Sequence, residues 1–143
     1  KPDDYAGAIR ELPFNLQIMF VHAYQSWIYN KALSEAIRNK WTVEELPLVG
    51  VKTTLDDVSA AILEEEGVAP RDFRIRELPR LSSKGATREC FKPLVDFDVV
   101  SIDADECHAD RKKVVLRFRL AKGCYATVAL REFMKNEWWE NNT

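Results

Sequence analysis

The sequence predicts an α+β fold in which a long buried helix and shorter helices pack on a small, mainly antiparallel sheet. Three observations carry that expectation. Apolar residues recur at helical spacing from Leu16 to about Asn39, through Phe20, Tyr24, Trp27, Ile28, Leu33 and Ile37. Two segments, Val95–Ile102 and Val114–Leu120, alternate apolar and polar residues with the period of two that a half-covered sheet needs. At 143 residues, 46% hydrophobic and 31% charged, the chain is long enough for one domain with a real core.

The elements follow in order. A short helix opens the chain, with Asp4 placed to cap it, since a carboxylate there can accept a backbone N–H that has no partner inside the helix. Leu12-Pro13-Phe14 breaks the chain and leaves Asn15 to cap the long helix. After Trp41 a loop runs through Leu46-Pro47-Leu48-Val49-Gly50 to a second helix. Thr54 is its expected cap, Asp56 and Asp57 complement the dipole in the first turn, and Gly67 ends it. Glu64, Glu65 and Glu66 fall in its last turn, where the dipole disfavours anions; a contact with a basic neighbour would offset this. Phe73-Arg74-Ile75-Arg76 alternates like a short strand, and Leu81–Arg88 reads as an exposed loop. The two longer strands then form a hairpin over the polar segment 103–112, with Leu116, Phe118 and Leu120 inward and Arg117 and Arg119 outward. Lys122-Gly123 makes a tight turn into a last helix around Ala126–Asn136, followed by Trp138-Trp139.

Composition excludes several classes. No apolar run approaches membrane-spanning length and no signal-peptide pattern opens the chain. Cys90, Cys107 and Cys124 are odd in number and form no C-x-x-C pair, which argues for a reducing compartment and against a disulfide framework or structural zinc. Cys107 and His108 lie beside Asp105 and Asp110, but this spacing matches no common metal site, so no metal is expected. The opening Lys1-Pro2-Asp3-Asp4 lacks an initiator methionine and reads as the start of a piece cut from a longer protein.

Net charge is −2, so bulk charge does not draw nucleic acid, but the distribution is uneven. From Arg71 to Lys92 seven basic residues face three acidic ones, a local balance of +4, while the acids gather in Asp56–Glu66 and Asp96–Asp110. Such a tract is either a solvated, charge-mixed surface or a stripe facing phosphates. Within it Lys84 and Arg88 flank flexible Gly85, where cations and backbone N–H groups could meet a phosphate. In the long helix His22, Ser26, Asn30 and Ser34 fall four apart on one slowly drifting stripe. They either bond to neighbouring backbone and fix the helix, or face a nucleotide.

Two segments carry more specific information. Phe20-Val21-His22-Ala23-Tyr24-Gln25-Ser26-Trp27-Ile28-Tyr29-Asn30, and Leu116-Arg117-Phe118 running into Lys122–Lys135, together resemble the TruD family of tRNA pseudouridine synthases in its archaeal and eukaryotic style. Leu12-Pro13, Leu33-Ser34-Glu35, Pro47-Leu48-Val49-Gly50 and Leu81-Ser82-Ser83-Lys84-Gly85 also match, in order. The resemblance places the chain in the C-terminal portion of a larger two-domain enzyme. Residues 1–110 then correspond to part of the family's insertion domain, and 111–143 to a strand-turn-helix returning to the catalytic domain. The chain departs from the pattern in four ways. The stretch from Lys40 to Pro47 is short, Ala121 replaces a usual proline, and Cys124 replaces a usual serine. The lysine motif, the G-L-K-D motif with the nucleophilic aspartate and the N-Y-F-G-x-Q-R-F-G motif have no counterpart.

What the resemblance implies is conversion of uridine to pseudouridine in tRNA, at position 13, without metal or organic cofactor. An aspartate attacks the flipped-out nucleotide, the N-glycosidic bond breaks, and the uracil rotates and rejoins through carbon. Such a base needs an aromatic or apolar wall in place of its lost stacking, and the aspartate needs a cation nearby. This segment would supply Tyr125, Thr127 and Arg131 as active-site wall and no catalytic nucleophile, which is expected upstream. Lys84, Arg88, Lys122 and His22 are the RNA-binding candidates. The expected partners are tRNA and the N-terminal half of the same protein, in the cytoplasm or, in a eukaryote, the nucleus. Two rival readings stand beside it: a stand-alone RNA-binding module, and a protein-interaction domain using exposed tryptophans and acidic loops.

Overall fold

Asp4 caps the first helix as its position suggests, its Oδ1 accepting from Gly7 N at 2.7 Å, and α1 runs Tyr5–Arg10. The structure is a computed structural model and describes residues 3–134. It comprises two compact units, Lys1–Cys90 and Phe91–Thr143.

The first unit is built on α2, Phe14–Arg38. Asn15 does not cap it; Pro13 does, with its fixed φ of −53° and its carbonyl accepting from Leu16 N and Gln17 N. The helix is also less buried than its apolar content suggests. Gln25, Ile28, Tyr29, Ala32 and Ala36 form a single buried face, whereas Phe20, Trp27 and Ile37 are exposed. The stripe therefore needs no internal partners: His22, Asn30 and Ser34 face solvent and Ser26 is half-buried.

Two short strands escaped the sequence reading. β1, Glu45–Leu48, and β2, Ala86–Glu89, pair antiparallel with Leu46 opposite Arg88. Each is four residues long, and β1 contains Pro47, so neither offers a readable alternation. Between them α3 spans Asp57–Glu65. Its cap is Asp56 rather than Thr54: Asp56 Oδ1 accepts from Val58 N and Ser59 N, and Oδ2 from Ser59 Oγ. Gly67 closes the helix at φ 65°. Its acidic end has a basic neighbour after all, since Lys31 on α2 meets Glu65 at 3.2 Å and Glu66 at 3.3 Å. Phe73–Arg76 is not a strand. Pro70 and Pro79 set two 3₁₀ turns, Pro70–Phe73 and Pro79–Leu81, and the chain between them is irregular. The core joins Ile28, Tyr29 and Ala32 of α2 to Leu46, Val49, Ile62, Leu63 and Phe73.

The second unit is the expected hairpin with its helix. β3, Val95–Ala104, pairs antiparallel with β4, Lys112–Arg119. A register shift lies between Val95 and Asp98, where Asp96 takes φ 52°. Arg117 meets Asp98 at 2.7 Å and Arg119 meets Asp96. α4, Ala126–Met134, docks through Phe133, which stacks on Phe97 at 5.1 Å, and Phe97 in turn lies near Phe118. The expected helix end at Asn136 and the Trp138-Trp139 pair lie outside the described residues.

Candidate functional site

The turn before α4 is shaped by the backbone. Cys124 N donates to Ala121 O at 3.2 Å across Lys122 and Gly123, and Gly123 takes φ 89°, a conformation other residues resist. Tyr125 then stands at the helix N-terminus, its carbonyl accepting from Val128 N and Ala129 N. Its side chain is not packed into the unit: the residue is 73% exposed. Thr127 and Arg131 are exposed too and, four apart, share one helix face. Phe133 and half-buried Ala129 occupy the side turned to the hairpin. Lys122 is exposed at the turn.

The other candidates belong to the first unit. Lys84 sits in a double loop held by named bonds: Val51 N to Ser83 O at 2.9 Å, Lys52 N to Lys84 O at 3.0 Å, and Gly50 N to Thr53 Oγ1 at 2.8 Å. A Cβ on Gly50 would run into the backbone of Gly85, so the two glycines let the loops touch. Buried Gln25 locks this arrangement to α2, its Nε2 donating to Val49 O at 2.6 Å and to Ser83 Oγ at 2.8 Å. Lys84 is thus carried, exposed, on a loop anchored one turn beyond His22. Gln25 was not singled out from sequence; its place with Ile28, Tyr29, Ala32 and Ala36 at helical spacing was the available signal.

Arg88 lies over the Tyr29 ring, 5.2 Å from its centroid. Tyr29 Oη donates to Glu89 O at 2.9 Å. Burial, with the neighbouring Cys90, pushes the Tyr29 phenol up to about 12, and burial likewise raises the Cys90 thiol. Tyr29 is therefore a neutral structural post for Arg88. The acidic loop tip is locally occupied: Asp105 Oδ1 accepts from Cys107 N and His108 N. Among the described residues no three His, Cys, Asp or Glu side chains gather as a metal ion requires. No helix there is long and apolar enough to cross a membrane.

Comparison with known proteins identifies the family of the chain. The family described as tRNA pseudouridine synthase D (TruD) matches residues 1–47 and 42–133. A Methanopyrus kandleri protein that carries that name is 34% identical over 154 residues, covering 95% of this chain and 37% of the relative. One from Methanococcoides burtonii is 32% identical over 186 residues, covering 96% and 42%. A crystal structure of the TruD protein of Methanosarcina mazei superposes with a TM-score of 0.82 at 31% identity, covering 95% of this chain and 42% of that one. The chain belongs to the TruD family. It spans about two fifths of the length of these relatives. The alignment of 186 positions against a chain of 143, with the family match divided around 42–47, fits a shortened link between Lys40 and Pro47. Here Trp41 N closes onto Ala36 O at 2.9 Å and the chain turns into β1 within a few residues.

Proposed function

We propose that this chain is the C-terminal portion of a tRNA pseudouridine synthase, converting uridine to pseudouridine, at position 13 in tRNA. The family match over almost the whole chain supports this reading. The observation that carries the chemistry is the bare aromatic ring of Tyr125 at the start of α4. A flipped base loses its stacking neighbours, and an exposed ring on a short, backbone-fixed turn can replace one of them. Arg131 and Thr127 line the same site, Arg131 holding the attacking carboxylate ionised or meeting a phosphate. The nucleophilic aspartate comes from the N-terminal half of the protein. Lys84, Arg88, Lys122 and His22 contact the tRNA backbone. No cofactor takes part, and the reaction runs in the cytoplasm, or in the nucleus of a eukaryote.

In this reading residues 1–110 are the insertion portion and 111–143 return to the catalytic domain. The test is direct. The full-length protein, given an unmodified tRNA transcript, should form pseudouridine detectable by carbodiimide-dependent primer extension, and the 143-residue chain alone should form none. A full-length protein that binds the transcript yet leaves every uridine unchanged would overturn the enzyme reading.

A further inference from the structure

In the first unit a groove of about 260 Å³ opens between α2 and the segment from Val68 to Ile75. Its walls are mainly aromatic and aliphatic: Phe20, Val21 and Tyr24 on one side, Val68, Phe73 and Ile75 on the other, with Asp72 the one charged residue among them. The rings are aligned, Tyr24 stacking on Phe73 at 6.2 Å and Trp27 on Tyr24 at 5.7 Å, while Phe20 remains 52% exposed. Three acids on this side, Asp72, Glu65 and Glu66, are already engaged. Asp72 Oδ2 accepts from Ala69 N at 2.8 Å and its other oxygen faces Arg71, while Glu65 and Glu66 are tied by Lys31. The arginines are not. Arg74 and Arg76 flank the wall residue Ile75, both exposed, and among the described residues neither meets a carboxylate. Close by in the chain, Arg80 lies over the Phe14 ring at 4.4 Å, and Arg10 donates to Glu77 O at 2.7 Å. The hairpin does the opposite, pairing Arg117 and Arg119 with aspartates.

We propose that this groove receives one unstacked base of the tRNA, with Arg74 and Arg76 meeting the flanking phosphates. The inference rests on the tRNA reading above and adds a contact that shares no residue with the Tyr125 segment. A wall of π faces with few polar atoms stacks any base and reads no sequence, and the exposed guanidiniums of Arg74 and Arg76, on either side of the wall residue Ile75 in the chain, supply the charge that a phosphodiester strand requires. An apolar protein segment would fill the same groove but leave those two cations without a counterpart.

The experiment measures affinity of the full-length protein for an unmodified tRNA transcript at several salt concentrations, with pseudouridine formation followed in parallel. Phe20→Leu keeps apolar bulk but removes the π face, and is expected to weaken binding roughly five- to 150-fold, the range that loss of one base stack gives. Phe20→Trp should bind as the wild type does. Arg74→Ala with Arg76→Ala should weaken binding and lower the slope of log affinity against log salt by about one to two. Thermal melts establish that each variant folds, and half-exposed Phe20 tolerates change. If the wild type binds and modifies tRNA while Phe20→Leu and the double arginine variant bind equally well, the groove is not an RNA site. Equal losses from Phe20→Leu and Phe20→Trp would mark it as a packing surface for protein and likewise overturn the proposal. A wild type that neither binds nor modifies tRNA fails the parent reading itself, a result the groove variants cannot produce.

Discussion

The two units use their apolar residues in opposite ways. Lys1–Cys90 hides Ile28, Val49 and Leu63 almost completely behind α2, β1 and α3. Phe91–Thr143 buries none of its described residues, and neighbouring Val114 and Val115, which point to opposite faces of β4, are 51% and 44% exposed. A two-stranded ribbon with apolar side chains on both faces is marginal in water, because nothing removes those side chains from solvent. The first unit therefore has the makings of a self-supporting domain. The second has the makings of a sheet whose covering layers are supplied by other polypeptide, in keeping with a chain that spans two fifths of its relatives.

That contrast can be broken by mutation. Ile28→Ala should cost about 2–5 kcal/mol in urea unfolding of the 143-residue chain, the usual range for emptying a packed core site. Val100→Ala should cost less than about 0.5 kcal/mol in the same chain, and clearly more in the full-length protein. Equal costs at both positions would erase the distinction. Gln25→Ala comes next, at about 1–3 kcal/mol, because it strips the donor from Val49 O and frees the Lys84 loop. Alkaline titration sharpens the picture further. Tyr29 holds its proton to about 12 in the folded state against 10 when unfolded, so its contribution to stability is complete below pH 10 and is lost as pH rises from 10 to 12. Phenolate absorbance should show a late step that Tyr29→Phe removes; a step unaffected by that change would place the shift elsewhere. The smallest effect is expected from Arg117→Ala, below about 1 kcal/mol, since both members of its pair with Asp98 are solvent-screened.

The sequence made the hairpin, α1, α3 and the extent of α2 legible because each carries a sustained period or a capping residue. What escaped was short or decided by tertiary contact. β1 and β2 are four-residue strands defined by each other, and the alternation at Phe73–Arg76 was overruled by prolines on either side. Asp56 displaced Thr54 as a cap because its carboxylate reaches two N–H groups and a hydroxyl at once. At the site, the turn at Gly123 and the aromatic residue after it could be read from residue types. For Gln25 the helical spacing was a partial signal, since a polar residue inside an apolar periodicity gains its full meaning only when the loop carbonyl it bonds is in place. The exposure of Phe20 likewise depends on how α2 rolls against α3.

The most direct measurement is single-turnover pseudouridine formation by the full-length protein carrying Tyr125→Phe or Tyr125→Ala. The expected result is near wild-type rate for Tyr125→Phe, which keeps the ring, and a roughly five- to 150-fold lower rate for Tyr125→Ala, which removes the ring proposed to stack on the base. A folded Tyr125→Ala protein that converts tRNA uridine as fast as the wild type would contradict the role assigned to this turn.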